Sequence, residues 1–163
     1  MPVAGLIVAI LLAGAVGLAQ AQEDGPDEGT SLTITGGLDA ELDGSDANAC
    51  VAENGELRAH LTSLTTSTTI LTFQVRASRP GIFPVGQANR VTLVSLTDDP
   101  DEFLLAWTAS RGTLTISSLD AQVPAGDGSV WTRGATGSID ADLQTETHDP
   151  VHVSGSWACH FPS

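Results

Sequence analysis

Asp142 and His152 are the two residues of this chain whose types and spacing come nearest to acid–base chemistry. They fall in the C-terminal stretch from Ala135 to His160, which reads ATGSIDADLQ, a polar break TETHDP, then VHVSGSWACH. Each half alternates apolar and polar residues, the pattern of a half-buried strand. A turn centred near Thr147 pairs the halves antiparallel, with Ile139 opposite Gly155, Ala141 opposite Val153 and Leu143 opposite Val151. The other face then sets Asp142 opposite His152 and Asp140 opposite Ser154. A carboxylate that orients an imidazole supplies two members of a nucleophile triad, and Ser154 follows on the same face. The plainer reading is an exposed cross-strand ion pair, worth ~0.2–1 kcal/mol. The chain has no G-x-S-x-G elbow and no H-E-x-x-H motif. An open sheet face also lacks the cleft that excludes water. A hydrolase using His152 and Asp142 is therefore a minor alternative, and no enzymatic activity is expected.

Metal chemistry fares no better. His148 and His152 have the i, i+4 spacing of a helical metal face, but Pro150 between them breaks any helix. In a strand the same spacing separates them by ~13 Å. Asp43 to Asn48 (DGSDAN), with Asp39 and Glu41 nearby, offers oxygen ligands without the order of an EF-hand loop, and reads as an Asx-rich turn. Thr97 to Glu102 (TDDPDE) reads the same way. No metal and no cofactor are expected. Among the three tryptophans, Trp107 and Trp157 fall in inward phases and read as core. Trp131 lies beside the GDGS loop with its phase undecided, which makes it the possible ligand contact, by stacking on a sugar ring or anchoring a protein partner.

The elements that must hold these residues follow from the chain as a whole. It begins with an uncharged run from Pro2 to Ala21 that closes on Ala19-Gln20-Ala21, an A-x-A cleavage pattern, so residues 1–21 read as a signal peptide. Its strongly apolar part, Val3 to Leu18, is short for a spanning helix. Residues 22–30, acidic with Gly and Pro, read as a disordered leader, and 31–163 as one domain. Export makes the lone pair Cys50 and Cys159 a disulfide. There are 20 acids against 6 arginines, no lysine, and a formal charge of −14. Nothing in that balance neutralises phosphates, which disfavours nucleic acid and anionic membrane surfaces. After cleavage no stable membrane insertion is expected, and the destination is the cell envelope, the periplasm or the outside of the cell.

In the mature part the apolar rows alternate. Leu32 and Ile34, then Leu38, Ala40 and Leu42 fall in one phase, with Gly36-Gly37 as a bulge or bend. Asn54-Gly55 is the strongest hairpin signal, flanked by ANACVAE and ELRAHLTSL, with Leu57, Ala59 and Leu61 inward and Arg58 and His60 outward. Leu71, Phe73, Val75 and Ala77 form the next row. RPGIFPVG, with a proline at each end of a short apolar run, reads as an edge piece or a crossover and not as a central strand. TDDPDE joins NRVTLVSL to EFLLAWTAS, where Phe103, Leu105 and Trp107 share a phase. Ser110-Arg111-Gly112 turns the chain into GTLTISSL. Eight or nine strands and no helix imply an antiparallel β-sandwich, or a partly closed barrel, with the disulfide crossing between two sheets.

Four phrases in order, RPGIFPVG, GTLTISSLDA, GSIDADL and VHVSGSWAC, resemble small exported bacterial β-sandwich domains, most of them uncharacterised. The early and late cysteines are similar, more faintly, to those of mycobacterial small lipoprotein antigens, although no cysteine sits at the cleavage point to carry a lipid. The resemblance implies fold and export, and it carries over no catalytic residue. The expected function is a structural or binding role at the cell envelope, with an unidentified protein or glycan as partner. The alternative is a carbohydrate- or protein-binding module using the loops near Trp131.

Overall fold

Asn54 and Gly55 take φ values of +54° and +76°, the backbone of a two-residue type I′ turn whose twist matches the flanking strands. They join β3 (Ala49–Glu53) to β4 (Glu56–Thr62), with Glu53 opposite Glu56. The computed structural model describes residues 29–44, 48–62, 69–96, 104–125, 128–131 and 133–162, with Trp131 described by its backbone alone. The expected signal peptide, residues 22–28 of the acidic leader, Phe103 and the TDDPDE turn lie outside the described residues, as do residues 45–47 of DGSDAN. Every element described is a strand: β1 (Ser31–Gly36), β2 (Ala40–Asp43), β5 (Thr69–Val75), β6 (Gly81–Pro84), β7 (Arg90–Leu96), β8 (Leu104–Leu119), β9 (Val123–Pro124), β10 (Val130–Trp131), β11 (Gly134–Gln144) and β12 (Val151–His160) complete the set.

The strands do not divide into two stacked sheets. They run in the order β11-β8-β7-β5-β4-β3-β12, and β12 pairs back onto β11, so seven strands close into a barrel among the described residues. The all-β expectation holds, the two-sheet sandwich is not confirmed, and the barrel alternative is the nearer one. β12 makes this possible because its two edges do different things. One edge pairs with β11 along its whole length. The other pairs with β1 from Val151 to Ser156 and then, at His160, with Ala49 of β3. β1 and β2 therefore extend as a hairpin off the wall, β6 lies on β8 alone as an edge piece, and β9–β10 form a small ribbon. The disulfide, expected to bridge two sheets, joins neighbouring strands of one continuous sheet.

A second correction concerns Ser110-Arg111-Gly112. These residues do not turn the chain; β8 runs through them for 16 residues. Arg111 faces Asp142 while Ala109 faces Leu143, so Ser110 is the extra residue of a β-bulge. Gly112, at φ +128°, passes where a Cβ would overlap the Asp140 carbonyl and Ala141. Bulge and glycine bend one long strand, and that bend is how it follows the barrel wall instead of reversing.

The interior is filled by the expected rows. Leu57, Leu61, Leu71, Trp107, Leu114 and Trp157 are at most 1 % exposed, and a barrel of this strand number is a packed core, not a channel. Trp157 meets Phe73 edge to face at 4.7 Å between ring centroids. Directly across from Trp157 stands Gly137, whose missing Cβ leaves room for the indole and for the Thr115 carbonyl. Gly137→Ala is expected to cost about 1–3 kcal/mol by overpacking, read as a lower melting temperature with an altered near-ultraviolet tryptophan signal. An unchanged signal would mean that the indole does not rest on Gly137.

Candidate functional site

The outer face of β8, β11 and β12 carries the pair singled out from the sequence. The register places Arg111, Asp142 and His152 side by side in one row across three strands. His152 Nδ1 lies 2.8 Å from Asp142 Oδ1, and Arg111 Nε donates to Asp142 Oδ2. The Ser110 hydroxyl, carried by the bulge, donates to the Asp142 main-chain carbonyl at 3.2 Å. Hydrogen bonding by His152, then by Arg111, holds the Asp142 carboxyl below its ordinary value of 3.8. His152 is 41 % and Arg111 82 % exposed, which makes this an open ionic cluster on a convex wall. Ser154 stands on the neighbouring row, opposite Asp140; no hydrogen bond joins it to His152 among the described residues.

Because the carboxyl is depressed, whatever the cluster contributes to stability is present above about pH 4 and fades as the pH falls through the lowered folded value. Side-chain carbon NMR is expected to show Asp142 titrating below 3.8, and to show it moving up in the His152→Ala variant. A titration at the ordinary value in the native protein would refute the cluster.

The other expected residues are scattered. His148 sits in the β11–β12 connection, its ring 6.1 Å from that of Trp107, whose Nε1 donates to the Asp149 carbonyl. His148 thus packs over the core while His152 binds Asp142 outside. No group of three or more metal-ligating side chains gathers among the described residues. Trp131 pairs with Val123 through its backbone; its side chain lies outside the described residues.

Another locality stands out, around β3. Here the barrel closes through a single parallel bridge, in which His160 N–H donates to the Asn48 carbonyl at 3.2 Å. Cys50 and Cys159 are bonded immediately beside it, with Cα atoms 5.6 Å apart. Asn48 stands in for the missing ladder. Its amide donates to Thr30 Oγ1 at 2.7 Å and to the carbonyls of Gly44 and Ala158, and its Oδ1 accepts from Thr62 N–H at 2.9 Å. Thr30 and Ala158 close the network in both directions.

Beyond Cys50 the seam stops, and the sequence says why. One step further along the parallel ladder, residue 162 would have to donate an N–H to the Cys50 carbonyl, and residue 162 is proline. In a two-residue hairpin Glu53 and Val51 direct their amides at β4, so those of Cys50 and Ala52 face the other way, where Cys50 N–H meets the His160 carbonyl in the bridge and Ala52 has no strand partner among the described residues. That edge borders a groove of about 590 Å³ whose far wall includes Leu119, Phe161 and Pro162, with Glu53, Glu56, Asp120 and Arg133 at its rim.

Comparison with protein-family models, with curated proteins and with solved structures finds no match. The sequence marks Asn48 only as the last residue of the DGSDAN turn, and it does not mark the open edge of β3. Asn-rich turns carry no mark that separates a solvated asparagine from one buried in a network. The edge required knowing that the last strand lies alongside β3.

Proposed function

We propose that this protein is an exported, non-catalytic binding module of the cell envelope or extracellular space, and that it takes an extended polypeptide segment along the open edge of β3. The observation that carries this reading is the edge at Ala52, unpaired among the described residues, beside the 590 Å³ groove. An edge that presents free amide and carbonyl groups is a template for strand addition, with the backbone giving affinity and the groove walls giving selectivity. With Glu56 already paired to Arg58, Glu53 and Asp120 outnumber Arg133 in the lining, which suits a segment with a basic residue. A disulfide is compatible with an oxidising destination. A non-catalytic role is favoured by the Asp142–His152 pair lying open to solvent outside any cleft, with no serine, threonine or cysteine hydrogen-bonded to the imidazole among the described residues.

The test is an NMR titration with short extended peptides of alternating Val/Thr and Lys. Binding is expected to move the amides of Cys50 to Glu53 and to be lost in Ala52→Pro, which removes only an outward-facing N–H. Peptide-induced shifts elsewhere, or full binding by the proline variant with an intact melting transition, would refute the edge as the site.

A further inference from the structure

The opposite flank of β3 has the reverse charge. Pairing across β3, β4, β5 and β7 sets Val51 opposite Arg58, Arg58 opposite Gln74 and Gln74 opposite Arg90, so four side chains stand in one row on the outside of the barrel. They border a groove of about 360 Å³, with His60, Thr72 and Thr92 on the next row. Twenty acids are spread over this chain, yet none lines that groove, whereas two of its six arginines do.

From this row we infer an oxyanion-binding site, formed by Arg58 and Arg90 on either side of Gln74, for a small ligand with one carboxylate or phosphate group beside an apolar portion.

The arginines are prepared for it differently. Arg58 is held by Nε, 2.6 Å from Glu56 Oε1, which fixes the guanidinium and leaves both of its amino groups to reach a ligand. Glu56, on the adjacent row opposite Glu53, is kept ionised by hydrogen bonds from Gln74 and Arg58, so its carboxylate is committed to them. Arg90 has no ion pair or hydrogen bond to its side chain among the described residues, and is the uncompensated cation of the groove. Their Cα atoms are two strand spacings apart, ~10 Å, so the two planar forks can converge above Gln74 on one oxyanion. Val51, 39 % exposed, gives the apolar part of the ligand ground to rest on. In a molecule of net charge −14 such a site fills against the overall field, which selects for paired arginine geometry over diffuse attraction.

The experiment is an NMR titration of the whole exported chain at low ionic strength with three probes: inorganic phosphate, phenyl phosphate and benzoate. At least one probe is expected to move the amides of Arg58, Gln74 and Arg90. Tighter binding of both aromatic probes than of inorganic phosphate assigns the apolar contact, and the order of benzoate against phenyl phosphate names the headgroup. Arg90→Gln is expected to weaken binding roughly tenfold or more, and Arg58→Gln by a similar factor, with melting temperatures unchanged. Arg133→Gln, in the other groove, is expected to bind as the native protein does. The proposal is overturned if no probe moves these amides at millimolar concentration, or if Arg90→Gln binds unchanged. Ala52→Pro is expected to leave anion binding intact, so this site and the peptide edge stand or fall separately.

Discussion

Replacing Cys159 with serine, or reducing the disulfide in the native protein, is expected to lower stability by about 4–5 kcal/mol and the melting temperature by about 10–20 °C. The bond spans a separation of 109 residues, and a cross-link over that length removes a large share of the unfolded chain's freedom. The structure adds a second reason. Cys50 and Cys159 lie where the barrel is held by one backbone bridge, so few other contacts can take over when the bond is gone. Amide exchange on Asn48 to Glu53 and Ala158 to Phe161 should therefore accelerate more than exchange in the β4–β5–β7 wall. Thermal melting with and without reductant, with hydrogen exchange by residue, checks both statements. A loss of stability below about 1 kcal/mol, or uniform exchange, would contradict the seam as the weak line of the barrel.

Asn48→Ala is expected to cost about 3–4 kcal/mol, an unusually large effect for a polar residue between a turn and a strand. Asn48 is 1 % exposed, and Thr30 beside it 4 %. Removing the side chain takes away the Oδ1 acceptor of Thr62 N–H and a donor to the Gly44 carbonyl and opens a void next to Ala158. Asn48→Asp is predicted to be nearly as damaging, since it keeps the acceptor for Thr62 but puts an anion against the Ala158 carbonyl and Thr30 Oγ1. Chemical denaturation of the two variants tests this. Combined with Cys159→Ser, the cost of Asn48→Ala should be smaller than in the native background, because both act on the same closure. Additive losses would place Asn48 outside the seam.

Much of this architecture is legible as pattern. Period-two rows such as Leu57, Ala59, Leu61 and Leu71, Phe73, Val75 identify strands and their buried faces, because one side of each must leave water. Asn54-Gly55 sets a hairpin register, and the Asp142–His152 pairing follows from the spacing around Thr147. Local signals cannot say how strands far apart in the chain meet. Nothing in ANACVAE or VHVSGSWACH announces that the two run parallel and touch at one residue pair, so the closed barrel was not separable from a sandwich. Ser110-Arg111-Gly112 misled for a related reason. A glycine after polar residues reads as a turn, while a bulge uses the same residues to bend a strand that continues. The arginine row needed still more, since Arg90 comes beside Gln74 only because β6 leaves the order and lets β7 pair with β5.

The single bridge between β3 and β12 also bears on the order of assembly. β3, β4, β5, β7 and β8 pair in sequence order through neighbours, contacts of short span that form early. The bridge from Ala49 to His160 has one of the longest spans in the molecule, so its closure is expected to come late. Ring closure is thus expected last, and until it occurs the meander presents two raw strand borders at once. Oxidation of Cys50 and Cys159 before that closure would act on an open, curved ribbon and not a finished cylinder, and its rate would set how long the ribbon is exposed to its own copies.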